Sequence, residues 1–252
     1  MVYHICQSLN EISTNNGYYI LPTDNLKDQM EAYNDSFKHQ HADANRVFTR
    51  LEAQNEVIGI DYYIQPEIDR ITNEGEGNVK KETDVFEIIN KSNDVLFMGE
   101  PGSGKTTLFR HFIYDVLIKE SSGIVFNIFI PIVTYDGKTS LEEFIIKAIE
   151  FDDTNFMYLA HKGRMRIFID GLNEVAEDTN KRIIRYIQEL KKKYNNLKLV
   201  VSTRENYFNY SELDFETYEV KPLNDAKQKE FLQKYLPEED VEEIISNIDN
   251  SI

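Results

Sequence analysis

The 252-residue chain is poor in several things at once. It has one cysteine and no tryptophan, and its 28 basic side chains face 44 acidic ones, for a net charge of −16. A lone Cys6 excludes an internal disulfide framework and suits a reducing compartment. No run approaches the roughly 18 apolar residues that mark a membrane-span candidate. The longest candidate, residues 124–133, is broken by Asn127 and Pro131. The N-terminus lacks the basic-then-apolar pattern of a secretory signal. No Cys/His spacing suits zinc, and His39 and His41 form an isolated pair in a polar segment, expected at the surface. Together these absences predict a cytoplasmic protein without a membrane partner.

The shortage of basic residues is uneven. Residues 1–90 hold 7 basic and 16 acidic side chains and residues 211–252 hold 4 and 12, whereas 91–210 are balanced at 17 and 16. Acidic flanks repel phosphodiester backbones, which argues against nucleic-acid partners and against helicase or nuclease motors. The basic cluster Lys191-Lys192-Lys193 closes an expected helix, where it complements the helix dipole.

What is present is a chain able to build a core: 41% hydrophobic residues, with 15 Phe and 15 Tyr. From Thr23 to Val57, Leu26, Met30, Tyr33, Phe37, Ala44, Phe48 and Leu51 recur at steps of three and four, weakest near His41. The spacing predicts an amphipathic helix or close helix pair, capped by Pro22-Thr23-Asp24, whose apolar face packs on the neighbouring domain or in a coiled coil. Gly59 and Asp61 mark a boundary, Tyr62–Pro66 reads as extended, and Asn73–Thr83 as a polar loop. Strand and helix patterns then alternate. Helices are expected at 84–91, after the glycine-rich loop to Lys119, from the Ser140-Leu-Glu-Glu143 capping box to Phe151, and at 180–194. Strands are expected at 94–98, 124–133, 166–170, 197–202 and 218–220, and two short helices at 224–235 and 238–248. Near-continuous apolar strands separated by helices indicate a central parallel sheet covered on both faces, an α/β three-layer sandwich. The expected division is a helical segment at 1–58, a core at 59–222 and the start of a helical lid at 223–252.

The chemistry begins at Gly99-Glu100-Pro101-Gly102-Ser103-Gly104-Lys105-Thr106, a complete G-x-x-x-x-G-K-[ST] string directly after the apolar run Val95–Met98. Strand, glycine-rich turn and helix start are the context a phosphate-binding loop needs. Backbone N–H groups from Gly99 to Thr107 close around phosphate oxygens, and the helix N-terminus favours an anion. Lys105 is placed to reach the β- and γ-phosphates and Thr106 to ligate Mg²⁺. The strand Ile167-Phe168-Ile169-Asp170 ends in a carboxylate suited to hold Mg²⁺ and its waters. Glu174 follows at a distance that lets it orient or deprotonate an attacking water. Arg204 ends Leu199-Val200-Val201-Ser202-Thr203-Arg204. If that strand lies between the other two, Arg204 reaches the phosphate edge, where a guanidinium stabilises developing charge.

Three strings, Gly99–Thr107, Phe168-Ile-Asp-Gly-Leu-Asn-Glu-Val175 and Val201-Ser-Thr-Arg204, resemble the NACHT family of the STAND signalling NTPases. Gly171 stands where that family has a small residue, and Tyr218–Asp225 is similar to its exit into a helical lid. The similarity covers roughly residues 60–250. It implies an ATP/ADP switch with Mg²⁺ that hydrolyses slowly, self-associates in its ATP state and engages a trigger and an effector, in prokaryotic antiviral defence. Asn173 departs from the family, which often has an acidic residue there. The family's winged-helix and sensor regions would follow residue 252, so the resemblance implies a truncated or short member. The alternative from another class is a nucleotide-binding scaffold that does not turn over. A small-molecule kinase would need a basic lid, and residues 211–252 are acidic.

Overall fold

The computed structural model describes residues 13–15, 18–49, 63–71, 84–119, 125–204 and 212–235. The expected boundary at Gly59–Asp61, the loop at 73–83 and the helix at 238–248 lie outside them. Along the chain run strands β1 (Ser13–Asn15) and β2 (Tyr18–Ile20), helix α1 (Leu26–Thr49), β3 (Ile68–Ile71), α2 (Val85–Lys91) and β4 (Val95–Met98). They continue as α3 (Lys105–Lys119), β5 (Phe126–Pro131), α4 (Leu141–Ala148), α5 (Asp153–His161) and β6 (Met165–Asp170). The described part ends with α6 (Glu177–Lys193), β7 (Lys198–Ser202), β8 (Glu216–Val220) and α7 (Asp225–Tyr235).

The central sheet has six strands in the order β3-β8-β4-β7-β6-β5. It is parallel except for β3, which pairs antiparallel with β8 at one edge. The result is an α/β sandwich with the topology of a P-loop NTPase core, and β3 is an antiparallel addition to the expected all-parallel sheet. Alternate residues along a strand point to opposite faces. Here both sets are apolar, because both faces are covered. Leu96, Ile167, Ile169, Leu199 and Val201 join one core with residues of α4, α5 and α6. Val95, Phe97, Phe168 and Val200 join the other, with Leu108, Phe109 and Phe112 of α3 and Ile88 and Ile89 of α2.

Helix α1 is continuous over Leu26–Thr49, and Leu26, Met30, Tyr33 and Phe37 of its apolar face pack against the sheet's two cores. At its start Thr23 O accepts from Leu26 N–H at 3.1 Å, and the first full helical bond runs from Gln29 N–H to Asn25 O at 3.0 Å. Tyr33 and Phe37 ride on edge strand β5: Tyr33 packs edge-on to Phe126 at 5.3 Å and Phe37 against Phe129 at 6.3 Å. The outward N–H of Phe129 donates to Tyr33 Oη at 2.7 Å. An open sheet edge is a template for unwanted strand pairing, and a covering helix removes that hazard. Burial pushes the Tyr33 phenol well above its usual range, with the Phe129 N–H acting in the opposite sense.

Two local expectations need correction. The helix begun by Ser140, whose hydroxyl accepts from Glu143 N–H at 3.1 Å, stops at Ala148 and not Phe151. Glu150 then takes a left-handed φ of 55°, which ends any helix. Beyond it lies α5, which the polar string Asp152–Asn155 hides from periodicity. Asn155 is fully buried, and its amide donates to Thr23 Oγ1 and Gln29 Oε1, both at 2.7 Å. No described helix is long and apolar enough to cross a membrane.

Candidate functional site

Three parallel strands, β4, β7 and β6, lie side by side and end at the same edge of the sheet. The segments after them carry the sequence-selected residues. Gly104 O accepts from Leu108 N–H at 2.8 Å, so α3 opens at Lys105 and the N–H groups of its first turn have no intrahelical partner. Gly102 and Gly104 have φ of +80° and +92°, the left-handed region where a side chain is strained. A Cβ added at either would meet nothing within 4 Å. Their bare backbone therefore faces open space, as a cradle for an anion requires. Gly99 serves a different purpose: a Cβ there would sit 2.5 Å from Val220 O, so only glycine lets the loop leave β4 beside β8.

Lys105 Nζ donates to Gly99 O and Glu100 O, both at 2.8 Å, and to Ser103 Oγ at 3.1 Å. Ser103 is buried and internal to the loop. Thr106 Oγ1 donates to Asp170 Oδ2 at 2.7 Å, bringing the two expected metal ligands together. Thr203 N–H donates to Phe97 O at 3.0 Å, which ties the end of β7 to β4 just before Arg204. One cavity of about 280 Å³ is lined by Lys105, Thr106, Asp170, Glu174 and Arg204, with Gly102, Asn173 and Ser202 among its other walls. The expected position of the Arg204 strand between the other two is what the sheet order delivers.

Gly171 explains how Glu174 comes to face this space. Its φ of +83° starts a single 3-10 turn over Leu172–Glu174, closed by Glu174 N–H to Gly171 O at 2.8 Å. A Cβ at Gly171 would lie 2.9 Å from Glu174 Cδ. Asn180, fully buried, donates from its amide to Leu172 O and braces the same turn.

The sequence did not disclose the part that Ser202 plays beside Asp170. Its hydroxyl donates to Asp170 Oδ1 at 2.5 Å and accepts from Gly171 N–H at 2.8 Å. It orients the carboxylate from the side opposite Thr106. Only the adjacency of β6 and β7 makes that visible; a serine at a strand end carries no such signal by itself.

The donor set fits a phosphate chain with a hard divalent cation. A hydroxyl and a carboxylate are Mg²⁺-type ligands, and Mg²⁺ is commonly held by one or two carboxylates plus substrate phosphates. No cluster of three or more His, Cys, Asp or Glu side chains suited to a metal occurs among the described residues. The cavity has room for the phosphate end of a nucleotide rather than for the whole molecule.

Comparison with known proteins agrees with this geometry. A family model described as novel STAND NTPase 3 matches residues 78–248, more than half of the chain. The chain belongs to this family of STAND NTPases. The family-level resemblance in the three motif strings therefore holds for STAND NTPases, and the matching branch is novel STAND NTPase 3. Among curated proteins none matches. Among solved structures, the chain is similar to the AAA domain of FIGL-1 in complex with ADP, at 18% identity and a TM-score of 0.38, covering 56% of this chain and 47% of that one. It is also similar to C. elegans PCH-2, at 16% identity and a TM-score of 0.39, covering 58% of this chain and 40% of that one. This STAND NTPase spans less than half the length of either.

Proposed function

We propose that this STAND NTPase is an ATP/ADP switch that hydrolyses ATP slowly. The observation that carries the reading is the single cavity on which Lys105, Thr106, Asp170, Glu174 and Arg204 converge from three strand ends. Lys105 exchanges loop carbonyls for phosphate oxygens without needing a new location. Thr106 and Asp170 would hold Mg²⁺, which when bound supplies charge neutralisation at the phosphates. The Glu174 carboxylate orients a water and accepts its proton. Arg204 sets a positive charge where negative charge grows in the transition state. A γ-phosphate that pairs with Lys105 and Arg204 makes contacts a diphosphate does not, and such a difference is what a switch requires. By the likeness of its motif strings to the NACHT branch, the switch acts in prokaryotic defence signalling, self-associates in its ATP state and works in the cytoplasm.

Lys105→Ala is expected to abolish retention of ADP and ATP, and unchanged nucleotide affinity in that variant would remove the site. Glu174→Gln is expected to keep ATP bound and uncleaved; turnover equal to the parent would take Glu174 out of the mechanism. A second reading, a scaffold that holds nucleotide without cleaving it, is favoured by Asn173 on the cavity wall where an acid would aid hydrolysis. Chromatography of nucleotide released by heat after incubation with ATP separates the two: ADP supports the switch, intact ATP the scaffold.

A further inference from the structure

Among the described residues, a second cavity is larger than the one at Lys105 and Asp170. A groove of about 670 Å³ runs between α1 and the end of β5, with α3 and α4 as its other walls. Its volume is in the range of small-molecule pockets. The groove exists because α1 presents short side chains there. Gln29, Ala32, Ser36 and Gln40 follow helical spacing along its wall, and Ala32 and Ser36 are too small to fill the gap to Phe129 and Phe144.

Among the described residues, Arg110 is the one basic side chain lining this groove. Its guanidinium lies 5.1 Å from the centroid of the Phe129 ring. Among the described residues it has no carboxylate partner and no hydrogen-bond acceptor, and it is half-buried. A cation removed from water is costly unless paired, and guanidinium offers a planar fork of donors matched to a carboxylate. The aromatic ring fixes that fork at the groove wall. Two exposed carboxylates, Asp28 and Glu150, also line the groove. They repel multiply charged anions, so a nucleoside triphosphate is disfavoured while a single negative charge is tolerated.

We propose that the groove between α1 and β5 binds a small organic monoanion, its carboxylate on Arg110 and its apolar body against Phe129 and Phe144. The inference does not rest on the nucleotide reading, because it uses a separate cavity. The two are nonetheless joined mechanically: Arg110 lies on the helix that Lys105 and Thr106 open, and Pro131 at the groove pairs in register with Asp170.

The test is calorimetric titration of the full chain, with ADP saturating, using 4-phenylbutyrate, indole-3-acetate and octanoate, each beside its primary amide. At least one carboxylate is expected to bind about tenfold or more tighter than its amide, the order of a charge-assisted hydrogen bond. Arg110→Gln is expected to erase that preference, and Ala32→Trp, an exposed change that fills the groove, to remove binding of acid and amide alike. ADP affinity, measured separately on the same variants, reports that the fold and the nucleotide site are intact. Equal binding of every acid and amide, a preference that survives Arg110→Gln, binding that survives Ala32→Trp, or no binding by any of the three acids would each overturn the proposal.

Discussion

Ser202→Ala is the sharpest probe of the site, because one oxygen serves two groups. The hydroxyl is buried, donates to the Asp170 carboxylate at 2.5 Å and accepts the Gly171 N–H at 2.8 Å. A hydrogen bond to a charged group contributes about 1.5–3 kcal/mol, and a buried N–H left unmade costs about 1–3 kcal/mol. The two share an atom and do not add in full, so a loss of about 3 kcal/mol is expected. For a chain of this length each kcal/mol moves the melting temperature by about 2–4 °C, giving a drop of roughly 6–12 °C. Urea unfolding should show the midpoint fall with an unchanged slope, since the surface exposed on unfolding is the same. Ser202→Thr keeps the hydroxyl and should recover part of the loss. A cycle with Asp170→Asn should give a coupling of about 1–2 kcal/mol, within the range for contacting residues. A loss below about 0.5 kcal/mol in Ser202→Ala, or no coupling to Asp170, would refute the argument that Ser202 holds the carboxylate.

Two further outcomes follow from the same structure. Gly171→Ala puts a side chain at φ +83° and 2.9 Å from Glu174 Cδ. The carboxylate must give way, so ATP turnover should fall by about 100-fold, the order expected for a misplaced catalytic group. Nucleotide affinity should not fall with it, and a parallel loss of binding would show that the turn supports the loop instead. Separately, Tyr33, Tyr63 and Tyr194 all have phenols held protonated in the fold, chiefly by desolvation. Unfolded tyrosines ionise near pH 10. Above that pH the unfolded chain binds fewer protons than the folded one, so stability should decline as pH rises past about 10. Urea midpoints between pH 8 and 11 check the sign; a midpoint that stays level would contradict it.

The nucleotide loop was legible because its physics is local. A strand, three glycines and a helix start are neighbours in sequence, and the conformations that Gly102 and Gly104 adopt depend on no distant partner. Asp170 and Arg204 were legible for a related reason: each ends an apolar run long enough to be a buried strand, and parallel strands deliver their ends to one edge. Glu174 was placed by its distance along the chain from Asp170. By contrast, α5 was hidden because Asn155 looks like a loop residue until Thr23 and Gln29, more than a hundred residues earlier, satisfy its amide. Edge strand β3 is similar, since Ile68–Ile71 has only one strongly buried residue and takes its strand form from pairing with β8.

By itself, then, the amino-acid order determined the phosphate loop, the placement of Asp170 and Arg204 at the ends of buried strands and the α/β class, since each follows from short-range conformational preference and burial periodicity. Only the tertiary structure decided that α1 seals the β5 edge, that Ser202 grips Asp170, and that Arg110 faces an open groove. Those are contacts between segments far apart in the chain, and nothing in the local pattern of either partner specifies the other.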